Sequence, residues 1–370
     1  MDAHGVVIEE LKLPETVGST DAGAFLEFSA LTDALVIETW GSLDRATPIT
    51  QRLASWKPNE YWELKFCFVR VQGQMVARAW IMFSLQDNLD SCYLQVDVLQ
   101  AFQGRGLGKM LLDHVEAVAE QRGRHVLMGS SGHQATFDPD ADGLLSASTG
   151  SGGLPKNSRA VRFALTSGYR LEQPERVSAL EFGSGAEALW DQLEADALAI
   201  VGDSFELLHW VDECPEEFVD QMAVLMSKMS TDAPAGGVQL EAELWDAQRV
   251  RRVEQVAKGG GVTSLVSAAR HVATGELAAY TVLEISSEAP NVAKQDDTLV
   301  AAGYRGNRLG VLVKLLNLRR LRANYPRVVQ IVTENAAENS YMLNINIALG
   351  FCPSGYSGEW QKVVEQAREQ

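Results

Sequence analysis

Apolar and polar residues alternate through Val6–Lys12, Trp62–Val71, Met75–Leu85 and Cys92–Val98, the period of strands with one buried face. Gln72-Gly73, between the second and third runs, marks a tight hairpin. Elsewhere the period lengthens to that of a helix, around Ala22–Thr39, Thr47–Ser55 and Leu107–Arg122. In the last of these Leu107, Leu111, Leu112, Val115 and Val118 share one face. A short strand at Val126–Met128, a helix at Ser158–Thr166 and a strand at Arg176–Phe182 complete the series. The order is strand, two helices, three strands, helix, strand, helix, strand.

That order then repeats. Strands are expected at Phe205–Val211, Thr263–Arg270, Glu276–Ser286, Thr298–Ala301, Val328–Thr333 and Glu359–Val364. Helices are expected at Glu216–Lys228, Glu241–Lys258, Leu309–Ala323 and Asn339–Ala348. Leu107, Gly108 and Val126 map onto Leu309, Gly310 and Val328 at a spacing of 202, whereas Asn157, Gly168 and Tyr169 map onto Asn339, Gly350 and Phe351 at 182. The first copy therefore carries 20 extra residues between its Val126 strand and its Asn157 helix. That stretch, Gly129–Pro155, contains DPDADG and STGSGG and reads as a loop, with His133 in it either a base or, on the plainer reading, simply exposed. The expected domains are residues 1–183 and 203–370, joined by a linker helix over 184–202. Each is expected to be α/β, a mixed sheet flanked by helices.

Length fits this division, since 370 residues at about 150 per domain suggests two. The start, MDAHGVVIEELKLPE, has neither the basic region nor the apolar run of a signal peptide, and no later stretch is apolar enough to span a membrane. A cytoplasmic protein, a monomer or homodimer, is the expectation. Cys67, Cys92, Cys214 and Cys352 lack paired spacing, so buried free thiols are expected rather than zinc ligands or disulfides, and no metal. A formal charge of -17 argues against nucleic acid and suits a cationic small molecule, although it serves equally as a solubilising surface.

Chemistry concentrates where strand meets helix. In QGRGLG, Gly104, Gly106 and Gly108 let the backbone turn several N–H groups toward one point, and the helix from Leu107 adds its positive end. An anion such as pyrophosphate suits this turn, with Arg105 or Lys109 beside it. A nucleoside-triphosphate loop would need a glycine at Gln103 and a hydroxyl at Met110, and a dinucleotide fingerprint would need a glycine at Lys109. Gln103-x-x-Gly106-x-Gly108 instead resembles the pyrophosphate loop of the GCN5-related N-acetyltransferase (GNAT) superfamily. Arg305 and Gly310 match in the second copy, where Arg308 replaces the central glycine. Asn157, Ala160, Gly168 and Tyr169, and again Asn339, Met342, Gly350 and Phe351, resemble a further pattern of that superfamily. The tandem layout is similar to that of actinobacterial tandem acetyltransferases, through Met229–Pro234, Arg270–Ala278 and Arg308–Gly310, and more distantly to mycothiol synthase.

The resemblance implies that each sheet splays beside its loop, that acetyl-CoA is the co-substrate, and that a small-molecule primary amine is the acceptor. It implies cofactor contacts at Val96, Val98, Gln103, Gly104, Arg105, Gly106, Leu107, Gly108 and Lys109. In the second copy these fall at Val300, Arg305, Gly306, Asn307, Arg308, Leu309, Gly310 and Asn339. The tyrosine acid common in the superfamily is replaced by Ala164 and Asn346. Catalytic candidates are therefore Glu334 as base, Tyr356, in the Ser354–Gly358 loop, as acid, and Asp297, with Asp232 to bind the ammonium group. Plainer readings stand beside them: solvated strand-end carboxylates, a helix stop before Pro234 and a packed aromatic. In the first copy Asp97 faces a helix or water. Two functions follow, an N-acetyltransferase or a catalytically weak tandem module that binds acyl-CoA or a metabolite.

Overall fold

The computed structural model describes residues 6–139, 141–183 and 186–365. The first copy supplies β1 (Ile8–Glu10), α1 (Gly23–Trp40), α2 (Ile49–Trp56), β2 (Trp62–Val71), β3 (Gln74–Ser84), β4 (Ser91–Val98), α3 (Leu107–Gln121), β5 (Val126–Gln134), α4 (Arg159–Thr166) and β6 (Arg170–Glu181). After α5 (Ala186–Val201), the second supplies β7 (Phe205–Val211), α6 (Val219–Asp232), α7 (Ala247–Gly259), β8 (Val262–His271), β9 (Leu277–Ser286), β10 (Val292–Val300), α8 (Leu309–Asn324), β11 (Gln330–Ala336), α9 (Ser340–Leu349) and β12 (Cys352–Val363). The same order of strands and helices thus occurs twice.

Two compact units cut the chain in a different way from the repeat. One gathers Met1–Glu175, Ala235–Leu240 and Gly355–Gln370, the other Arg176–Pro234 and Glu241–Ser354. The division runs through β6 at Arg176 and through β12 at Gly355, so the last strand of the chain completes the unit that holds its beginning.

In the first unit the strand order is β1-β2-β3-β4-β5-β12. All pairs are antiparallel except β4–β5. Gln72 and Gly73 both take positive φ, 52° and 85°, between β2 and β3, the left-handed pair that matches a tight hairpin to strand twist. Alternation along β2 sends Phe66 and Phe68 to one face, where Phe25, Phe28 and Leu31 of α1 cover them. Cys67 and Val69 face the other side, toward Leu111, Leu112 and Val115 of α3.

Two expectations are corrected here. β5 does not stop at Met128 but runs to Gln134, so His133 is a buried strand residue and not an exposed loop residue. Its glycines read as loop in the sequence, yet they are packing requirements: a Cβ at Gly129 would meet the Leu94 carbonyl oxygen at 2.5 Å, and one at Gly132 would meet the Trp40 ring at 2.4 Å. β12 begins at Cys352, so Tyr356 lies in a strand opposite His133 rather than in a loop. Cys67, Cys92 and Cys214 are buried free thiols, pushed up to about 12 by burial, whereas Cys352 is exposed.

In the second unit the order is β6-β11-β10-β9-β8-β7, with β10–β11 parallel and β7–β8, β8–β9 and β9–β10 antiparallel. α8 lies against β8 and β9 on one side and α5 on the other, which buries every residue from Leu309 to Leu315. Among the described residues no helix is long and apolar enough to cross a membrane.

Candidate active site

The β4–β5 ladder of the first unit is short. It runs from Ser91↔Val126 to Tyr93↔Met128, after which the strands part. A cavity of about 920 Å³ opens there, reaching from Leu94, Val96 and Val98 on one side to Ser130 and Ser131 on the other, and up to Gly104, Gly106 and Lys109. With no β5 backbone opposite, alternate N–H groups of β4 beyond Tyr93 face the opening.

The glycine turn sits at its mouth. Gly104 and Gly106 have φ of 75° and 83°, and Gly106 is the N-cap of α3 with no side chain accepting from the first turn. The first N–H groups of α3 therefore remain for an outside acceptor, with the helix dipole behind them. Gln103 braces the turn, its amide nitrogen donating to Val98 O at 2.8 Å and its amide oxygen accepting from Arg159 at 2.7 Å. Arg105 turns back onto Ala101 O and over the Phe102 ring, and Lys109 pairs with Asp113. Of the expected contacts, Val96, Val98, Gln103, Gly104, Gly106, Leu107, Gly108 and Lys109 line the cavity. Arg105, turned back onto Ala101 and Phe102, is not among the lining residues. Asp97 lines the same cavity, part-exposed, and forms an ion pair with Arg78 at 2.9 Å, whose guanidinium also donates to Thr32 of α1.

The second copy of the turn keeps the backbone course and loses openness. Arg305 Nε donates to Val300 O at 3.2 Å, as Gln103 does to Val98, while its Nη2 pairs with Asp232 at 3.0 Å. Gly306 has φ of 88°, and Arg308 takes the left-handed N-cap position of α8 at φ 57°. Asn307 Nδ2 donates to Tyr304 O. β10 and β11 pair from Val292↔Gln330 to Lys294↔Val332. Just beyond, Thr333 Oγ1 donates to Gln295 O at 3.3 Å, and Gln295 Nε2 donates to Val282 O at 2.7 Å, so polar side chains bridge the strands. Lys314, the counterpart of cavity-lining Leu112, is 2% exposed, and burial pushes its ammonium down to about 7.

The catalytic candidates fall in different units. Asp297 accepts from Tyr280 OH at 2.9 Å, and loss of solvent followed by the charge of Asp296 pushes its carboxyl up to about 7. Glu284 is raised to about 7 for the same reasons. Glu334 is half-buried in β11 of that unit, and Asp232 is the last residue of α6. Tyr356 belongs to the first unit, against Phe137 at a centroid distance of 4.9 Å. Asn339 caps α9, its side-chain oxygen accepting from Met342 N at 3.1 Å. Of the two residues at the expected tyrosine position, Ala164 lines the cavity of the first unit, and Asn346 is buried in the second, donating to Asn335 at 2.7 Å.

His133 stands in the sequence as a possible base, but its partners were not legible there. Ser131 Oγ and His133 Nε2 lie 2.9 Å apart on one face of β5, and Trp360 Nε1 of β12 donates to the same Oγ at 2.8 Å. Burial pushes the His133 imidazole down to about 4, so the ring is neutral at physiological pH. The i, i+2 spacing in SSGH was visible; the strand that aligns it was not. Among the described residues no cluster of three or more His, Cys, Asp or Glu side chains is placed to hold a metal.

Residues 35–135, which include the glycine turn, α3 and β5, match the acetyltransferase (GNAT) family. No curated protein sequence matches. Among solved structures, a tandem GNAT protein from the clavulanic acid biosynthesis pathway is similar over 98% of this chain and 99% of its own, with a TM-score of 0.71 at 23% identity. A GCN5-related N-acetyltransferase from Sphaerobacter thermophilus is similar over 99% and 98%, with a TM-score of 0.59 at 12% identity. The fold of this chain is thus that of a tandem GNAT protein, and residues 35–135 carry the match to the GNAT family.

Proposed function

We propose that this tandem GNAT-fold protein is an acyl-CoA-dependent N-acetyltransferase whose first unit holds acetyl-CoA and passes the acetyl group to a primary amine of a small molecule. The observation that carries this reading is the single cavity joining the glycine turn at Gly104–Gly108 to the parting of β4 and β5. Pyrophosphate suits the turn because its N–H donors and helix dipole point outward. The pantetheine arm then follows β4 past Val98 and Val96, which sets the thioester where backbone N–H groups of β4 can bind a developing oxyanion. An alkylammonium is protonated at neutral pH, so the acceptor needs a base before it attacks.

A second reading applies to the second unit. Arg305 neutralised by Asp232, the bridged strands at Gln295–Thr333 and Lys314 in the place of Leu112 favour a binding or supporting role over a second acetyl-CoA site. Glu334 and Asp297 are the bases to test should that unit turn over substrate; burial and the charge of Asp296 raise the Asp297 carboxyl to about 7.

Calorimetric titration tests the assignment. Acetyl-CoA should bind at one site per chain, and Gly106→Asp, which puts bulk and negative charge on the N-cap of α3, should weaken binding at least tenfold. Unchanged affinity and stoichiometry in that variant would reject the first unit as the cofactor site.

A further inference from the structure

Ser131 stands two residues beyond Gly129, whose position leaves no room for a Cβ beside the Leu94 carbonyl of β4, and it lines the same cavity as the glycine turn. A thioester threaded from that turn into the parting of the strands would lie in the cavity that this residue lines. Here Ser131 Oγ has two partners of different kinds. His133 Nε2, 2.9 Å away, accepts its proton in the neutral tautomer that carries the ring hydrogen on Nδ1, and Trp360 Nε1–H at 2.8 Å is a donor that stabilises negative charge building on the oxygen. A hydroxyl beside a base, with the pair fixed by a third group, is the arrangement that activates a serine nucleophile. β12 fixes it from outside, since Gly358 pairs with Ser131 and Tyr356 with His133.

We propose that Ser131 is transiently acetylated, with His133 as its base, so that the first unit works through an acyl-serine intermediate. The proposal rests on the acetyl-CoA reading above. Ser131 Oγ attacks the thioester carbonyl carbon while its proton passes to His133 Nε2. The C–S bond breaks, and the imidazolium returns the proton to the departing sulfur, which leaves acetyl-Ser131 and CoA thiol. The acceptor amine then attacks the ester carbonyl, the C–Oγ bond breaks, and the proton lost by nitrogen returns through His133 to Oγ. Nothing is oxidised or reduced. Burial keeps His133 unprotonated near neutrality, so the ring enters each cycle able to accept. It also explains how a cavity with Ala164 at the usual tyrosine position protonates the thiolate: the imidazolium formed in the first step is the acid.

The test needs no acceptor. Full-length protein mixed with acetyl-CoA and no amine should release a burst of about one thiol per chain, the kinetic mark of an acyl-enzyme. Acid-quenched intact-mass spectrometry should show one added acetyl group, and peptide mapping should place it on Ser131. Ser131→Ala should abolish burst and adduct, and Ser131→Cys should restore both. His133→Gln should slow adduct formation about 10²-fold or more. Calorimetry on each variant separates the two readings. Wild type that binds acetyl-CoA yet forms no adduct overturns the acyl-serine while leaving the cofactor site standing. An adduct that persists in Ser131→Ala overturns it equally. Failure of wild type to bind acetyl-CoA defeats the underlying reading, and this one with it.

Discussion

Arg308 holds a backbone conformation that costs a side-chain-bearing residue about 1 kcal/mol relative to glycine, and its counterpart Gly106 shows what the turn would otherwise use. Arg308→Gly should therefore raise unfolding free energy by up to about 1 kcal/mol in urea titration, with no change in the helical circular dichroism signal. A loss of stability would mean that the arginine stabilises the turn through its charge. His133 gives a second prediction at this scale. Its folded-state pKa, about 4, lies below its ordinary 6.5, so the unfolded chain binds the proton more readily. The stability that the neutral ring contributes is complete above about 6.5 and is lost as pH falls through about 4. His133→Phe should lose less stability than wild type across that window, by on the order of 2 to 3 kcal/mol, as measured by chemical denaturation at each pH.

At the scale of elements, the two copies end their cleft helices differently. Asn339 caps α9 and Ser158 caps α4, accepting from Val161 N at 3.2 Å. The aligned asparagines, Asn157 and Asn339, thus do not share one role. Asn339→Ala should cost about 1 kcal/mol and speed amide exchange in the first turn of α9, while leaving acetyl-CoA affinity within twofold. A larger loss of affinity would restore Asn339 as a cofactor contact. The elements were largely legible in the sequence because period and turn chemistry agree there: the Gln72-Gly73 hairpin, the apolar face of α3 and the linker helix from Ala186 all formed. Legibility failed where packing overrides composition. Gly129–Gly132 looks like loop because small residues usually sit in loops, yet here Leu94 and Trp40 leave no room for larger ones. The glycine turn was readable as a contiguous motif. The proposed catalytic group was not, since Ser131 and Trp360 are 229 residues apart in the chain and meet only through β-pairing.

For the whole molecule, sequence repetition and physical compactness are separate properties. A fragment of residues 1–183 contains the complete first copy but lacks β12, which pairs with nine successive residues of β5 and carries buried Trp360 into the core. Such a fragment should fail to fold cooperatively, shown by a shallow thermal transition in circular dichroism; a sharp, wild-type-like melt would show that β12 is dispensable. Adding residues 355–370 in trans as a peptide should recover part of the transition. The same feature sets a schedule for synthesis. The strand that closes the first unit ends 229 residues after β5 does (363 minus 134), and at about 5 to 20 residues per second the ribosome needs roughly 10 to 45 s to deliver it. Throughout that interval β5 is an open edge on a nascent chain, available to a neighbouring polypeptide on the same message. Slowed elongation through the second copy should then lower soluble yield even though every codon is eventually read.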